Sequence, residues 1–392
     1  MIYSFRKKYN SEFTEKRYAD FLKSIDSFSG SKVEFRIAET PIFLPAEFKA
    51  QLLDAGEDIL DYITSDEFKK TSASAIPKGL EVEGEDEHTA VLAIDFAVCK
   101  DKNGNLIPQL IELQGFPSLF CYQGLLNLKY RAHFDIPERL DNFFNGLNHG
   151  SYISILKDLI VGDENPEHVI LLEIEPEKQK TNIDFYCTEK WLGVKPVCIS
   201  DVIKEGRKLY YIKNGKKIPI HRIYNRVIFD ELLKRSDLKP GFKFQDSIDV
   251  KWIPHPNWFF KISKHTLPSL KSRYVPETYF LNELDTIPPD LENYVLKPLF
   301  SFAGAGVKFD ITKADIDSIK DRQNYILQRK INYEPVIETP DIPAKAEIRL
   351  LIVWDKEPVI VNNIVRLSKG KMMGVDFNKD KTWVGSSIAY FE

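Results

Sequence analysis

Two carboxylates and an amide open the chemical reading of this chain. In IDFAVCKDKNGNLIPQLIELQ, two apolar runs flank Asn103-Gly104, the strongest short-range signal for a β-hairpin. With Asn103 and Gly104 as the turn residues, Asp95 falls directly opposite Glu112. Gln114 then shares the face of Glu112, because strand side chains alternate. Like charges about 5 Å apart across a strand pair are destabilising unless something compensates them. A divalent cation on oxygen ligands is such a compensation. Leu92, Ile94, Phe96 and Val98 form the apolar face, while Ala93 and Ala97 leave room beside Asp95. A solvated acidic face on an edge hairpin is the plainer alternative, since charged residues usually face water.

A second group lies far downstream. YVLKPLFSFAGAGVKF places Lys297 on a strand that leads into a loop with Ser301, Gly304, Ala305 and Gly306. Glycine lets backbone N–H groups approach phosphate oxygens, and a strand lysine beside them supplies a point charge. This is neither the P-loop nor the dinucleotide pattern. By itself it reads more readily as a tight turn, which glycine marks generally. Upstream, Ser263 and Lys264 start a helix. Downstream, YILQRKI is an apolar strand ending in Arg329 and Lys330, AEIRLLIVW puts Glu347 and Arg349 on one face, and Arg366 ends another strand. A lone strand arginine is more often a surface or ion-pair residue than a ligand.

The elements that must position these groups can be read from periodicity. AEFKAQLLDAGEDILDYI (46–63) has a helical period, and an acidic surface loop follows it. Strands cover 91–98 and 106–114. HVILLEI, the helix TNIDFYCTEKWLG stopping at Gly193, and VKPVCIS make a strand–helix–strand unit with parallel strands. Asn214-Gly215 marks a second hairpin. The region after Trp252 is strand-rich with short loops.

From Ser263 to Arg349 the order of elements resembles the ATP-grasp superfamily: a lysine at a helix start, a Val-Pro segment, a Val-x-Lys-Pro strand, a glycine-rich flap, a strand ending in the adenine hinge, and an acidic-x-Arg strand. The acidic pair lies near the N-terminus instead of after the arginine strand. That order is similar to the circularly permuted group that includes the glutathionylspermidine-synthetase-like proteins, whose metal hairpin reads Asp-Phe, Asn-Gly or Asp-Gly, then Glu-x-Asn. Here it reads Asp95-Phe96, Asn103-Gly104 and Glu112-Leu113-Gln114. Four positions depart from the pattern. Gln114 replaces Asn, Ala93 stands where Arg is frequent, and Gly115-Phe116-Pro117 replaces Asp-Thr-Pro.

The resemblance implies an α+β fold: a permuted ATP-grasp domain with an appended αβ domain that resembles a pre-ATP-grasp domain. It divides the chain into an N-terminal helical or mixed region (1–90), the metal hairpin with its helices (91–150), the αβ substrate domain (151–252) and the nucleotide-binding region (253–392). It implies ATP and Mg²⁺ as cofactors. Lys264 and Lys297 would meet the α- and β-phosphates, and Ser301 with residues 304–306 would cover the triphosphate. Gln328, Arg329, Lys330 and Ile331 would present backbone to adenine. Asp95, Glu112 and Gln114 would hold metal. Arg349 and Arg366, with Lys297, would be catalytic. The implied reaction joins a small-molecule or peptide carboxylate to an amine or thiol through an acyl phosphate, with no covalent enzyme nucleophile. A small-molecule kinase on the same fold and a non-catalytic nucleotide-binding protein are the alternatives.

Composition sets outer limits. The 392 residues allow more than one domain. A net charge of −4 gives no electrostatic case for nucleic acid. No apolar run is long enough to span a membrane. The opening MIYSFRKKYNSEF has no apolar signal core and reads as a mature N-terminus. Cys99, Cys121, Cys187 and Cys198 read as reduced thiols in a cytoplasmic protein. Among the remaining polar residues, His221, Arg222, Asn225, Arg226 and Asp230 read as a substrate cleft or a buried network. His255 and Trp258 read as core or cleft, and Arg36 is a weaker candidate.

Overall fold

The computed structural model describes residues 1–30, 32–300 and 306–392, without the side chains of residues 375 and 376. Its largest sheet is antiparallel, in the spatial order Gly385–Ser387, Pro358–Ser368, Lys345–Trp354, Val91–Lys100, Leu106–Gln114. The predicted hairpin therefore extends a sheet whose other strands come from the C-terminal end of the sequence. The helix Ala46–Ile63 has the predicted bounds and covers one face. Its Phe48, Leu52, Ile59 and Ile63 pack with Leu92, Ile94, Phe96, Ile348, Leu350 and Ile352. Gly56 lets the helix sit close: a Cβ there would lie 3.0 Å from the Leu350 and Ile360 side-chain methyls.

The opposite face is divided. Ala93, Leu351, Val353 and Ile364 join a core that includes the helix Phe120–His133, and the rest of this face carries charged side chains. Residues 1–90 are tied to the far end of the chain, since Ile42–Leu44 pairs in parallel with Ala389–Phe391.

A second sheet is wholly parallel, ordered Lys251–Ile253, Arg222–Asn225, Val169–Glu173, Lys195–Cys198. The helix Asn182–Leu192 connects its last two strands and ends at Gly193 with φ 78°. This is the predicted crossover unit. Asn214 and Gly215, at φ 50° and 75°, form a true two-residue turn, with Lys213 opposite Lys216.

A small antiparallel sheet completes the frame of the site, with Tyr325–Arg329 between Thr278–Phe280 and Tyr294–Pro298. Its core is Leu281, Tyr294, Leu296, Ile311, Ile316 and Leu327. It meets the large sheet along the outer strand Leu106–Gln114. The Leu110 N–H donates to the Tyr274 carbonyl at 2.7 Å, and the Gly115 N–H donates to the Ile262 carbonyl at 2.8 Å. The chain that leads into the small sheet, at Ile262 and Tyr274, thus bonds to the edge that the sequence left exposed. All four cysteines are buried free thiols. Among the described residues no helix is long and apolar enough to cross a membrane.

Candidate functional site

Asp95 does lie directly opposite Glu112, but the turn does not put it there. Lys100 pairs with Leu106, so the loop is residues 101–105, one register off a two-residue turn. Asp101 builds this loop, its carboxylate accepting from the Asn103 and Asn105 N–H groups at 2.8 Å each. Beyond Phe96–Leu110 the register shifts, with Ile111 as the extra residue, and Asp95 then meets Glu112 and Ala93 meets Gln114. The bulge also has a chemical use, because its Ile111 carbonyl accepts from Lys297 Nζ at 3.2 Å.

Asp95 is 0% exposed, so it is no solvated acidic face. Arg349, paired opposite it on the next strand, clamps it with Nε–Oδ1 and Nη2–Oδ2 contacts of 2.6 Å each. Arg366 reaches Asp95 Oδ2 at 3.2 Å and also pairs with Glu347. The Tyr333 hydroxyl donates to Glu347 at 3.1 Å. The small Ala97, opposite Glu347, leaves space for this network. Burial raises the Glu347 carboxyl pKa; Arg366 opposes that and Asp95 adds to it.

Glu112 is partly exposed beside Asp95. Gln114 donates to its Oε1 at 2.8 Å, and Lys264 Nζ stands 3.9 Å from its Oε2. Burial alone would raise this carboxyl, but Lys264, Arg366, Arg349 and Lys297 together hold it below the usual range. Lys264 follows Ser263, the N-cap of a short 3₁₀ helix, as the predicted helix start requires.

Lys297 is 7% exposed on the small sheet. Besides Ile111 it donates to Gln328 Oε1 at 2.5 Å, and Gln328 in turn donates to Thr278 at 3.1 Å. Burial pushes the Lys297 ammonium pKa down to about 8, and Glu112 only partly offsets this. Lys264 is lowered for the same reason.

The structure thus brings together Asp95, Glu112, Gln114, Lys264, Lys297, Gln328, Arg349 and Arg366. Ser301, Gly304 and Ala305 lie outside the described residues. Gly306 follows them at φ 73°, and a Cβ there would stand 2.8 Å from the Pro298 ring. Arg329 and Lys330 direct their side chains to Asp290 and Asp310, and their N–H groups already donate to the Glu277 and Asn293 carbonyls. Ile331 is half-buried in the following loop.

A cavity of about 60 Å³ opens beside Glu112, Gln114 and Lys264, walled largely by Phe116, Ile228, Phe259 and Phe300. Gly115 borders it and must be glycine, because a Cβ would lie 2.1 Å from the Trp258 carbonyl oxygen. Close packing therefore excludes an aspartate at this departure from the resembled pattern.

Of the five polar residues near 225, only Arg226 reaches this loop, donating to Pro117 O at 2.7 Å and Phe116 O at 3.3 Å. Arg222 binds the Leu159 and Ile160 carbonyls, Asn225 accepts from the Val227 N–H, and Asp230 pairs with Lys234. His255 and Trp258 are buried, and His255 contacts the Glu83 carbonyl. Arg36 pairs with Glu39 and donates to the Val384 carbonyl.

Sequence reasoning left Glu347, Tyr333 and Thr278 out of the site. Glu347 carried a signal, standing two residues before Arg349 on one strand face. Tyr333 and Thr278 carried none.

No protein-family model and no curated protein sequence matches the chain. Among solved structures it is similar to a glutathione synthetase-like effector from Globodera pallida in its apo form. The TM-score is 0.56 at 10% identity, over 97% of this chain and 98% of that one. At that identity the likeness is one of fold, and it spans nearly the whole of both chains.

Proposed function

We propose that this protein is an ATP-dependent carboxylate–amine, or carboxylate–thiol, ligase on a circularly permuted ATP-grasp fold. One observation carries the reading. Lys297, on a strand 186 residues away in sequence, donates to the bulge that sets Asp95 opposite Glu112. Two sheets thus present cations and carboxylates to one another around a common space. The likeness to a glutathione synthetase-like fold supports the class, and the hairpin's place beside Lys345–Trp354 supports the permutation.

Lys264 and Lys297 would neutralise the α- and β-phosphates; both are buried, at 6% and 7% exposure, which strengthens their hold on an anion. Residues 301–306 would cover the triphosphate. Adenine would lie along residues 328–331. Because the Arg329 and Lys330 N–H groups are engaged, it would rely on carbonyls and on Ile331 there. Arg349 and Arg366 would stabilise charge on the transferred phosphoryl group, their positions fixed beforehand by Asp95 and Glu347.

The donor set at the hairpin is all oxygen, as Mg²⁺ requires. Glu112 and Gln114 would hold the ion, joined by Asp95 if Arg349 yields one of its two bonds. When bound, the ion would neutralise phosphate oxygens during transfer. The substrate carboxylate oxygen would attack the γ-phosphorus, and ADP would leave. An amine or thiol would then attack the acyl carbon, and phosphate would leave. The apolar wall at Phe116, Ile228, Phe259 and Phe300 would flank the acyl group.

The test is product analysis with Mg-ATP. A ligase makes ADP only with both acid and nucleophile present, and hydroxylamine traps the acyl phosphate as a hydroxamate. Phosphate on a substrate hydroxyl, with no hydroxamate, would make the protein a kinase. No heat of binding with millimolar Mg-ATP would remove the nucleotide reading altogether.

A further inference from the structure

Glu164, His168 and His221 take no part in the site described above. His168 immediately precedes the strand Val169–Glu173, and His221 immediately precedes Arg222–Asn225. These strands pair in parallel with Val169 opposite Arg222, so the two histidines stand level at their N-terminal ends. The His221 N–H donates to the His168 carbonyl at 2.8 Å, which fixes their spacing through the backbone. Their ring centroids are 4.5 Å apart. Glu164 comes from the turn after the helix His149–Ile160. Its Oε2 lies 3.1 Å from His221 Nδ1 and 3.9 Å from His168 Nδ1. One ligand atom from each residue lies within 4.8 Å of the others.

We propose that Glu164, His168 and His221 bind one divalent d-block cation, of the Zn²⁺, Ni²⁺ or Co²⁺ kind. Two imidazoles and a carboxylate are the donors these borderline ions prefer, whereas Mg²⁺ and Ca²⁺ take oxygen alone. Bonds of about 2.0–2.2 Å to a single ion fit ligand atoms this close together. Partial exposure gives the ion an entry path and leaves a coordination position for water. Arg222 is a positive charge close by; its guanidinium is anchored on the Leu159 and Ile160 carbonyls and faces Asp86 and Asp163 as well as Glu164.

The position predicts the role. Arg226, which touches Phe116 and Pro117, lies beyond the opposite, C-terminal end of the same strand. A cation at the histidines would staple the end of a helix to two strand ends, and it would stabilise the parallel sheet without entering the triphosphate site.

Zn²⁺ titration of the full, chelator-stripped chain against a competing chromophoric chelator tests this. The expected result is one equivalent bound and a raised thermal midpoint. Binding should weaken at least about tenfold in His168→Ala, in His221→Ala and in Glu164→Gln. Mg-ATP affinity should be the same in all of them. Unchanged Zn²⁺ binding in both histidine variants overturns the proposal, as does the absence of micromolar binding in the parent chain. Co²⁺ absorption of the parent chain decides the matter even if the variants misfold. A d–d spectrum without thiolate charge transfer supports the site, and a thiolate band places the ion on cysteine and overturns it.

Discussion

The two sheets that face each other across the site hold charge in opposite ways. The large sheet has strands of 9 to 11 residues at the site and a helix over one face. Four of its charged residues are bonded to one another: Asp95 to Arg349 and Arg366, and Arg366 to Glu347. The small sheet has strands of 3 to 5 residues and a core of six buried apolar side chains. Its buried cation, Lys297, is bonded only to neutral groups among the described residues, a side-chain amide and a backbone carbonyl. One half is thus organised before any ligand arrives, and the other holds a desolvated charge that an anion would complete. In such a site, substitutions in the first half act mainly on the fold, and those in the second mainly on binding.

The largest expected effect is at Asp95. The sequence alone gives no reason to expect Asp95→Ala to harm folding. The structure does, because the change takes from Arg349 the fully buried carboxylate that clamps it and leaves Arg366 with Glu347 alone. Removing one member of such a pair costs about 3–5 kcal/mol. Urea denaturation should show that loss, with Asp95→Asn milder because it keeps the shape and part of the hydrogen bonding. A variant as stable as the parent would break the contrast between the sheets.

Lys297→Met is the counterpart. It removes a buried ammonium and keeps the bulk, so the urea midpoint should hold or rise. Turnover should fall by on the order of 10²–10³, the usual loss for one charge-stabilising donor. A large loss of stability would mean that Lys297 braces the fold against the Ile111 bulge.

Next in size is the effect of pH. Burial brings the Lys297 pKa to about 8, against 10.5 for a free lysine. Bound triphosphate favours the ammonium, so binding takes up a proton above pH 8. Affinity for Mg-ATP should then fall as pH rises from 8, by up to about tenfold per unit. Lys264, also lowered by burial, adds in the same direction. Folding runs the other way. Between pH 8 and 10.5 the unfolded chain holds this proton and the folded chain does not, so stability rises with pH across that window. Below 8 both states hold it and the contribution is flat. Calorimetry at several pH values reads the first trend and denaturation the second; Lys297→Met should abolish the Lys297 share of each.

Much of this site was legible because its parts sit on strands. Alternation put Glu112 and Gln114 on one face and Glu347 with Arg349 on another, and the helix at 46–63 could be read to the residue from its period. What escaped were properties that arise only when segments meet. Nothing near Asp95 in sequence shows that Arg349 and Arg366 will clamp it. Nothing near Gly115 shows that the Trp258 carbonyl will press on its α-carbon. The hairpin register was reached by a wrong route, since Asn103-Gly104 looked like a two-residue turn and the bulge at Ile111 restored the pairing.

That last point makes the smallest prediction informative. Asn214-Gly215 is the two-residue turn that its sequence announces, while Asn103-Gly104 sits in a longer loop built by Asp101. If packing and the bulge set the register of Asp95 and Glu112, damage to the loop should not reach the site. Gly104 has φ 84° with open space around its α-carbon, so Gly104→Ala suffers backbone strain and no clash. The cost should be about 1 kcal/mol in urea denaturation. Mg-ATP affinity should match the parent within error. A loss of affinity larger than the loss of stability would mean that the turn holds the two carboxylates in register after all, and that the large sheet is less self-organised than its bonded charges indicate.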